Sequence, residues 1–157
     1  MPQPPPSLKG RALRLLSGRE HSRAELERKL KAHAPEPNLL AGALDELQAK
    51  GFIDEKRVIE SVLHRRSDKL GAARIRQELQ RKGLDPDAVA NAVATLQVSE
   101  VERAHAVWRK KFGAAAAAIS ASERGRQMRF LASRGFSSDA IRRVVAATVD
   151  DQDPVQD

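Results

Sequence analysis

Between residues 56 and 82 the chain places nine Lys or Arg against three Asp or Glu, a local charge of +6. Arg65 and Arg66 end one stretch, Lys69 follows, and Arg74, Gln77 and Arg81 recur at i, i+3 and i+7. That spacing puts the last three on one stripe of a helix, with Ile75 and Leu79 pointing to a core. A planar guanidinium grips phosphate or carboxylate through two parallel N–H bonds. A cluster of such groups holds a polyanion without reading any sequence in it. Each Arg also has a structural use, since its stem covers apolar surface and its charge complements a helix C-terminus. Single residues fit both uses; the cluster as a whole points to an acidic partner.

No comparable arrangement suggests a reaction. His21, His33, His64 and His105 are dispersed, none in an H-x-x-x-H pair, and are expected at the surface. Phosphate-loop, dinucleotide and nucleophile-elbow motifs do not occur. Asp and Glu fall mainly at helix caps or four residues from Lys or Arg, where solubility accounts for them. The absence of Cys removes disulfides, thiolate zinc sites and cysteine nucleophiles. We therefore expect neither catalysis nor a metal or other cofactor.

The chain has 157 residues and a net charge of +7. Its last eight residues, "DDQDPVQD", hold four Asp and no base, so the body before them carries +11, the +7 plus those four. Such a field attracts nucleic acid, acidic protein surfaces or anionic lipid. No apolar run reaches the roughly 20 residues that span a bilayer, and "MPQPPPSLKG" reads as a flexible lead-in without a signal-peptide core. A cytoplasmic protein without membrane contact is expected. Four Phe, one Trp and no Tyr offer little base stacking. Trp108 and Phe112, four apart, suit a core.

An internal repeat supplies the elements. Leu79, Gly83, Val89 and Val93 share offsets 0, 4, 10 and 14 with Leu131, Gly135, Ile141 and Val145, and with Leu30, Ala34, Leu40 and Leu44. Periods of this size mean stacked helical units. Gly83 and Gly135 stop one helix in the left-handed conformation, and Asp85 before Pro86, or Ser137, caps the next. Ala34 followed by Pro35 breaks the pattern, so the first turn is expected to differ in shape. A further helix precedes each pair, over about 8–16, 54–69 and 99–112. Ser22 with Glu25, Ser99 with Glu102 and Ser120 with Glu123 fit the capping box.

The resulting expectation is an all-α protein of nine helices. Residues 1–7 form a lead-in, 8–50, 51–98 and 99–149 three three-helix repeats, and 150–157 an acidic disordered tail. "GAAAAAIS", residues 113–120, is expected to extend a helix or link the second and third repeats. The second helices, "DPDAVANAVATLQ" and "SSDAIRRVVAAT", carry few side chains able to read bases, apart from Asn91, Arg142 and Arg143. Sequence-specific DNA control is disfavoured.

"RALRLLSGREHSRAELERKL", "LQAKGFIDEKRVIESVLHRRSDKLGAARIRQELQRKGL" and "RFLASRGFSSDAIRRVV" together resemble the RecX regulatory proteins of bacteria over roughly residues 10–148. The resemblance implies three tandem three-helix repeats in a curved, elongated helical solenoid. It also implies regulation: binding to RecA on single-stranded DNA and restraint of its ATPase, strand exchange and SOS coprotease activities. It carries over no catalytic positions. Our own candidate contacts for RecA or DNA are Arg65, Arg66, Lys69, Arg74, Arg81, Lys82, Arg129 and Arg134, on a protein expected to be a monomer. The alternative is a basic helical protein that binds DNA non-specifically and sequesters the single strand.

Overall fold

The structure, a computed structural model, describes residues 1–113 and 120–150. Both the alanine run at 114–118 and the acidic tail beyond Asp150 lie outside the described residues. Nine α-helices are present among the described residues, and no strand. They are α1 (Leu8–Gly18), α2 (Arg23–Leu30), α3 (Pro37–Ala49), α4 (Glu55–Arg66), α5 (Ala72–Arg81), α6 (Pro86–Val98), α7 (Glu100–Phe112), α8 (Ala121–Ser133) and α9 (Ser138–Asp150). Three three-helix groups follow one another, as the repeat predicts.

Local chemistry explains most boundaries. Gly83 and Gly135 take φ of 66° and 89° after α5 and α8, the conformation that a side chain disfavours. Asp85 accepts the Ala88 N–H at 3.1 Å and Ser137 accepts that of Ala140 at 3.1 Å, so both predicted caps form. The first turn does differ. Lys31–His33 continues α2 as a 3₁₀ turn and Ala34 is extended, with φ −97° and ψ 114°. Ser22 and Glu25 make the full capping box at the start of α2.

The Ser99 capping box does not form. Ser99 has no capping bond to α7; its hydroxyl donates to the Leu96 carbonyl and accepts from Arg103. At α8 half of the predicted box is present. Ser120 accepts the Glu123 N–H at 3.0 Å, while the Glu123 carboxylate pairs with Arg126.

The described chain forms two compact units. The first comprises Met1–Ser61 with Leu79–Val89. Its core is aliphatic: Ala12, Leu26, Leu30, Leu40, Leu44, Leu47 and Ile53, the i, i+3/i+4 faces of α1, α2 and α3 together with Ile53, two residues before α4. Phe52, in the α3–α4 turn, is 46% exposed and stands outside this core.

The second unit comprises Val62–Glu78 and the chain from Ala90 onward. Trp108, Leu131, Phe136, Ile141, Val144 and Val145 form most of its core. The Trp108 indole donates to the fully buried Gln127 amide oxygen at 3.0 Å, which satisfies two polar groups in an apolar setting. Here the α4–α5 link meets the end of α8 by bare backbone. Gly71 N–H donates to the Arg134 carbonyl at 2.8 Å and Ala73 N–H to that of Gly135 at 3.3 Å. A Cβ on Gly71 would fall inside the Gly135 carbonyl.

That approach predicts a specific sensitivity. Gly71→Ala forces two backbones apart and is expected to cost about 1–3 kcal/mol, the range for overpacking. Gly18→Ala, at a site with open space around it, is expected to change stability by less than about 0.5 kcal/mol. Urea denaturation of the two variants beside the parent measures the difference. Equal midpoints would show that the backbone contact contributes nothing.

Candidate functional site

The eight predicted contact residues divide between the units. Arg81 and Lys82 belong to the first, the other six to the second. Their surroundings separate cations that hold the fold from cations that face solvent.

In the first unit Lys82 points inward. Its ammonium lies 3.1 Å from Glu25, with side-chain exposures of 12% and 8%. Arg19 binds the other Glu25 oxygen at 2.7 Å, and the Ser22 N–H donates to the carboxylate at 3.2 Å. Burial works against the charge on Glu25, but the Arg19 and Lys82 bonds and the Ser22 N–H outweigh it and hold its carboxyl at about 2. The Ser22 hydroxyl donates to the Lys82 carbonyl at 2.5 Å, so the turn after α5 is tied to the start of α2. Arg81 is exposed, and its carbonyl accepts from Arg28 at 2.9 Å.

His21 corrects the expectation of four surface histidines. It is 2% exposed. Nδ1 lies 3.0 Å from the Arg19 carbonyl and Nε2 lies 3.1 Å from the Lys29 ammonium. The neutral ring therefore donates through Nδ1 and accepts through Nε2. Burial, with help from Arg19 and Lys29, lowers its pKa.

In the second unit Arg65, Arg66, Lys69, Arg74, Arg129 and Arg134 are all exposed. Arg66 pairs with Glu78 at 3.4 Å. Arg74 donates to the Ser133 carbonyl at 2.7 Å, reinforcing the backbone contact with α8. Arg134 lies over the Phe130 ring, 5.0 Å from its centroid. Arg129 lies on α8 one position before Phe130, and the structure does not bring it to the groove described next.

Lys69 and Arg134 come together in a groove of about 520 Å³ with two cations that the sequence reading missed, Lys110 and Lys111. Ala106, Val107 and Phe130 supply its apolar lining, and Asp68 its one acid. None of the four cations has a carboxylate within ion-pair distance among the described residues. The signal was present in "VWRKKF", where Lys110 and Lys111 stand three and four residues after Val107.

Position in this groove is set by a buried pair. Arg103 donates to the Ser67 carbonyl at 2.9 Å and the Leu70 carbonyl at 2.7 Å, gripping the link that carries Lys69. Arg103 is held in turn by Glu100 at 2.9 Å. Glu100 accepts the Ala72 N–H at 3.2 Å and the Ser137 N–H at 3.3 Å, at the starts of α5 and α9. The arrangement can bind anions beside an apolar anchor. Among the described residues no group of His, Asp and Glu is placed to hold a metal ion, and no helix is long and apolar enough to cross a membrane.

Comparison with known proteins gives one consistent picture. Residues 9–47, 54–93 and 99–145 match the models of the first, second and third three-helix domains of RecX. The chain is 52% identical to the regulatory protein RecX of Leptothrix cholodnii, over 91% of this chain and 90% of that one. It is 44% identical to that of Ralstonia nicotianae, over 98% and 97%. The crystal structure of RecX from Lactobacillus salivarius superposes with a TM-score of 0.75 at 22% identity, covering 90% of this chain and 94% of that one. This last likeness speaks to the fold.

The Glu25 cluster predicts an acid response. Because the folded carboxyl sits at about 2 against an ordinary 4.5, its contribution is complete above pH about 4.5 and is lost as pH falls toward 2. Glu25→Gln is expected to lower stability at neutral pH by about 3–5 kcal/mol and to flatten that part of the pH profile. Thermal melts of both proteins across the acid range measure it; parallel profiles would remove Glu25 from the account.

Proposed function

This chain belongs to the RecX family of regulatory proteins, and on that premise we propose that it binds RecA filaments on single-stranded DNA and restrains them. Inhibition of the filament's ATPase, strand exchange and stimulation of SOS repressor cleavage is the activity that this reading assigns. The chain acts by binding, with no bond made or broken.

The observation that carries the reading is the match of all three consecutive domain models, together with exposed cations on the same repeats. A three-helix unit repeated along the chain offers repeated surfaces, so modest contacts to several protomers multiply. The basic field speeds encounter with an acidic, DNA-containing filament. Binding across neighbouring protomers would fix their relative orientation, and either ATP turnover or growth at an end then stops.

Non-specific sequestration of the single strand is the second reading, favoured by the same exposed cations and the +7 net charge. Salt separates the two. Phosphate binding weakens steeply as salt rises and needs no RecA, whereas contact with protein surface persists better.

RecA ATPase on single-stranded DNA, with this chain added after filaments have formed, tests the proposal. Inhibition is expected at amounts well below one chain per RecA protomer. If inhibition begins only where the added chain coats free DNA, sequestration is the activity. Among the candidate contacts, Lys69→Glu with Arg81→Glu is expected to weaken inhibition about tenfold with an unchanged melting temperature, since neither side chain holds the fold. Lys82→Glu would set a carboxylate against Glu25 and is expected to unfold the first unit.

A further inference from the structure

The groove beside Phe130 combines apolar lining with four cations that have no ion pair among the described residues. Lys110 and Lys111 lie on α7, Arg134 ends α8, and Lys69 reaches in from the link that Arg103 holds. Four positive side chains face one carboxylate, Asp68. A solvated helix face needs no such lining, and a phosphate-tracking groove gains little from Val107 and Ala106.

Phe130 decides between two kinds of polyanion. Single-stranded nucleic acid is gripped by cations on its backbone and by aromatic rings on which bases stack. Here the ring is already engaged. The Lys111 ammonium lies 5.5 Å and the Arg134 guanidinium 5.0 Å from its centroid. The Phe112 ring meets it edge-on at 5.5 Å, with the planes at 84°. Stacking a base would displace cations that the backbone needs. A peptide side chain, in contrast, can rest on Val107 and Ala106 while neighbouring carboxylates take the cations through charge-assisted hydrogen bonds.

We propose that this groove is the docking site for an acidic peptide segment of a protein partner, with one apolar side chain as its anchor. The inference deepens the regulatory reading by giving the chemistry of a partner segment. It stands on the groove alone, however, and its test contains neither RecA nor DNA. A failed ATPase titration would therefore leave it intact, and its own failure would leave that reading intact.

The experiment is fluorescence anisotropy with the full chain and a labelled peptide of Asp and Glu flanking a single Phe. Lys110→Glu with Lys111→Glu is expected to weaken binding about tenfold or more, since each reversal replaces an attraction by a repulsion. Lys31→Glu with Lys56→Glu makes the same change of net charge outside the groove and is expected to shift affinity less than about twofold. Replacing the probe's Phe by Ser is expected to weaken binding several-fold through the lost apolar contact. Circular dichroism checks that each variant folds.

Three results would overturn the proposal. Equal losses for the two double variants would mean a diffuse field and no site. An oligothymidylate that competes with the peptide, while the Phe-to-Ser change has no effect, would make the groove a nucleic-acid site. Tighter probe binding by a chain ending at Asp150 would make this chain's own acidic tail the occupant.

Discussion

A carboxylate that touches no solvent-facing cation holds the second unit together. Glu100 is 5% exposed and gathers backbone N–H groups from Ala72 and Ser137, which are 28 and 37 residues away in sequence. Both donors stand at helix starts, where amides lack intrahelical partners and the helix dipole is positive. Arg103 completes the set from one turn along α7. A buried charge is costly unless paired and hydrogen-bonded. Here every nearby demand has an answer, and no buried side-chain polar atom among the described residues lacks a partner. With α5 pinned at its first residue, Gly71 and Ala73 can make backbone bonds to the end of α8. Arg103 then fixes the link between α4 and α5. The approach of Gly71 to Gly135 and the position of Lys69 both follow from this pair.

The first unit reaches a similar result by different means. Glu25 caps its own helix through Ser22, then recruits Lys82 and Arg19 from other parts of the unit. Glu100 caps helices to which it does not belong. In both cases an acid that would repel nothing at the surface is buried against the seam between consecutive repeats. Apolar contacts alone leave such seams free to slide. Directed bonds from one carboxylate to named backbone groups select a single register. The same logic accounts for His21, whose two ring nitrogens bind the Arg19 carbonyl and the Lys29 ammonium.

Features governed by a few neighbouring residues were legible in the sequence. The glycine stops at Gly83 and Gly135, the caps at Asp85, Ser137 and Ser22, and the apolar pairs Val89/Val93 and Ile141/Val145 all depend on contacts within one turn. The different turn at Ala34–Pro35 was legible for the same reason. What escaped was long-range. "SEVERA" offers Glu100 and Glu102 with equal local merit, and the capping pattern selects Glu102. Only the arrival of Ala72 and Ser137 makes Glu100 the buried one. Gly71 has no left-handed φ to announce it, because the constraint is another backbone. Phe52 shows the converse: an apolar residue beside the short turn at Gly51 that no helix covers.

The candidate site was half legible, and the division is instructive. Composition locates positive charge but not its employment. Lys82 and Arg81 are neighbours with identical charge, yet one neutralises a buried carboxylate and the other faces solvent. Arg74, the first member of the expected binding stripe, reinforces the contact with Ser133. The densest basic run in sequence is therefore partly internal structure. Four cations without an ion pair among the described residues meet apolar surface beside α7 and α8, where the run "RKK" is shorter and less conspicuous. A broad positive field can steer a partner to the chain from a distance. Discrimination among acidic partners requires contacts that a field does not supply, and apolar area beside free charge supplies them. By that criterion the groove at Phe130 has the chemistry that discrimination requires, and the cations of α5 do not.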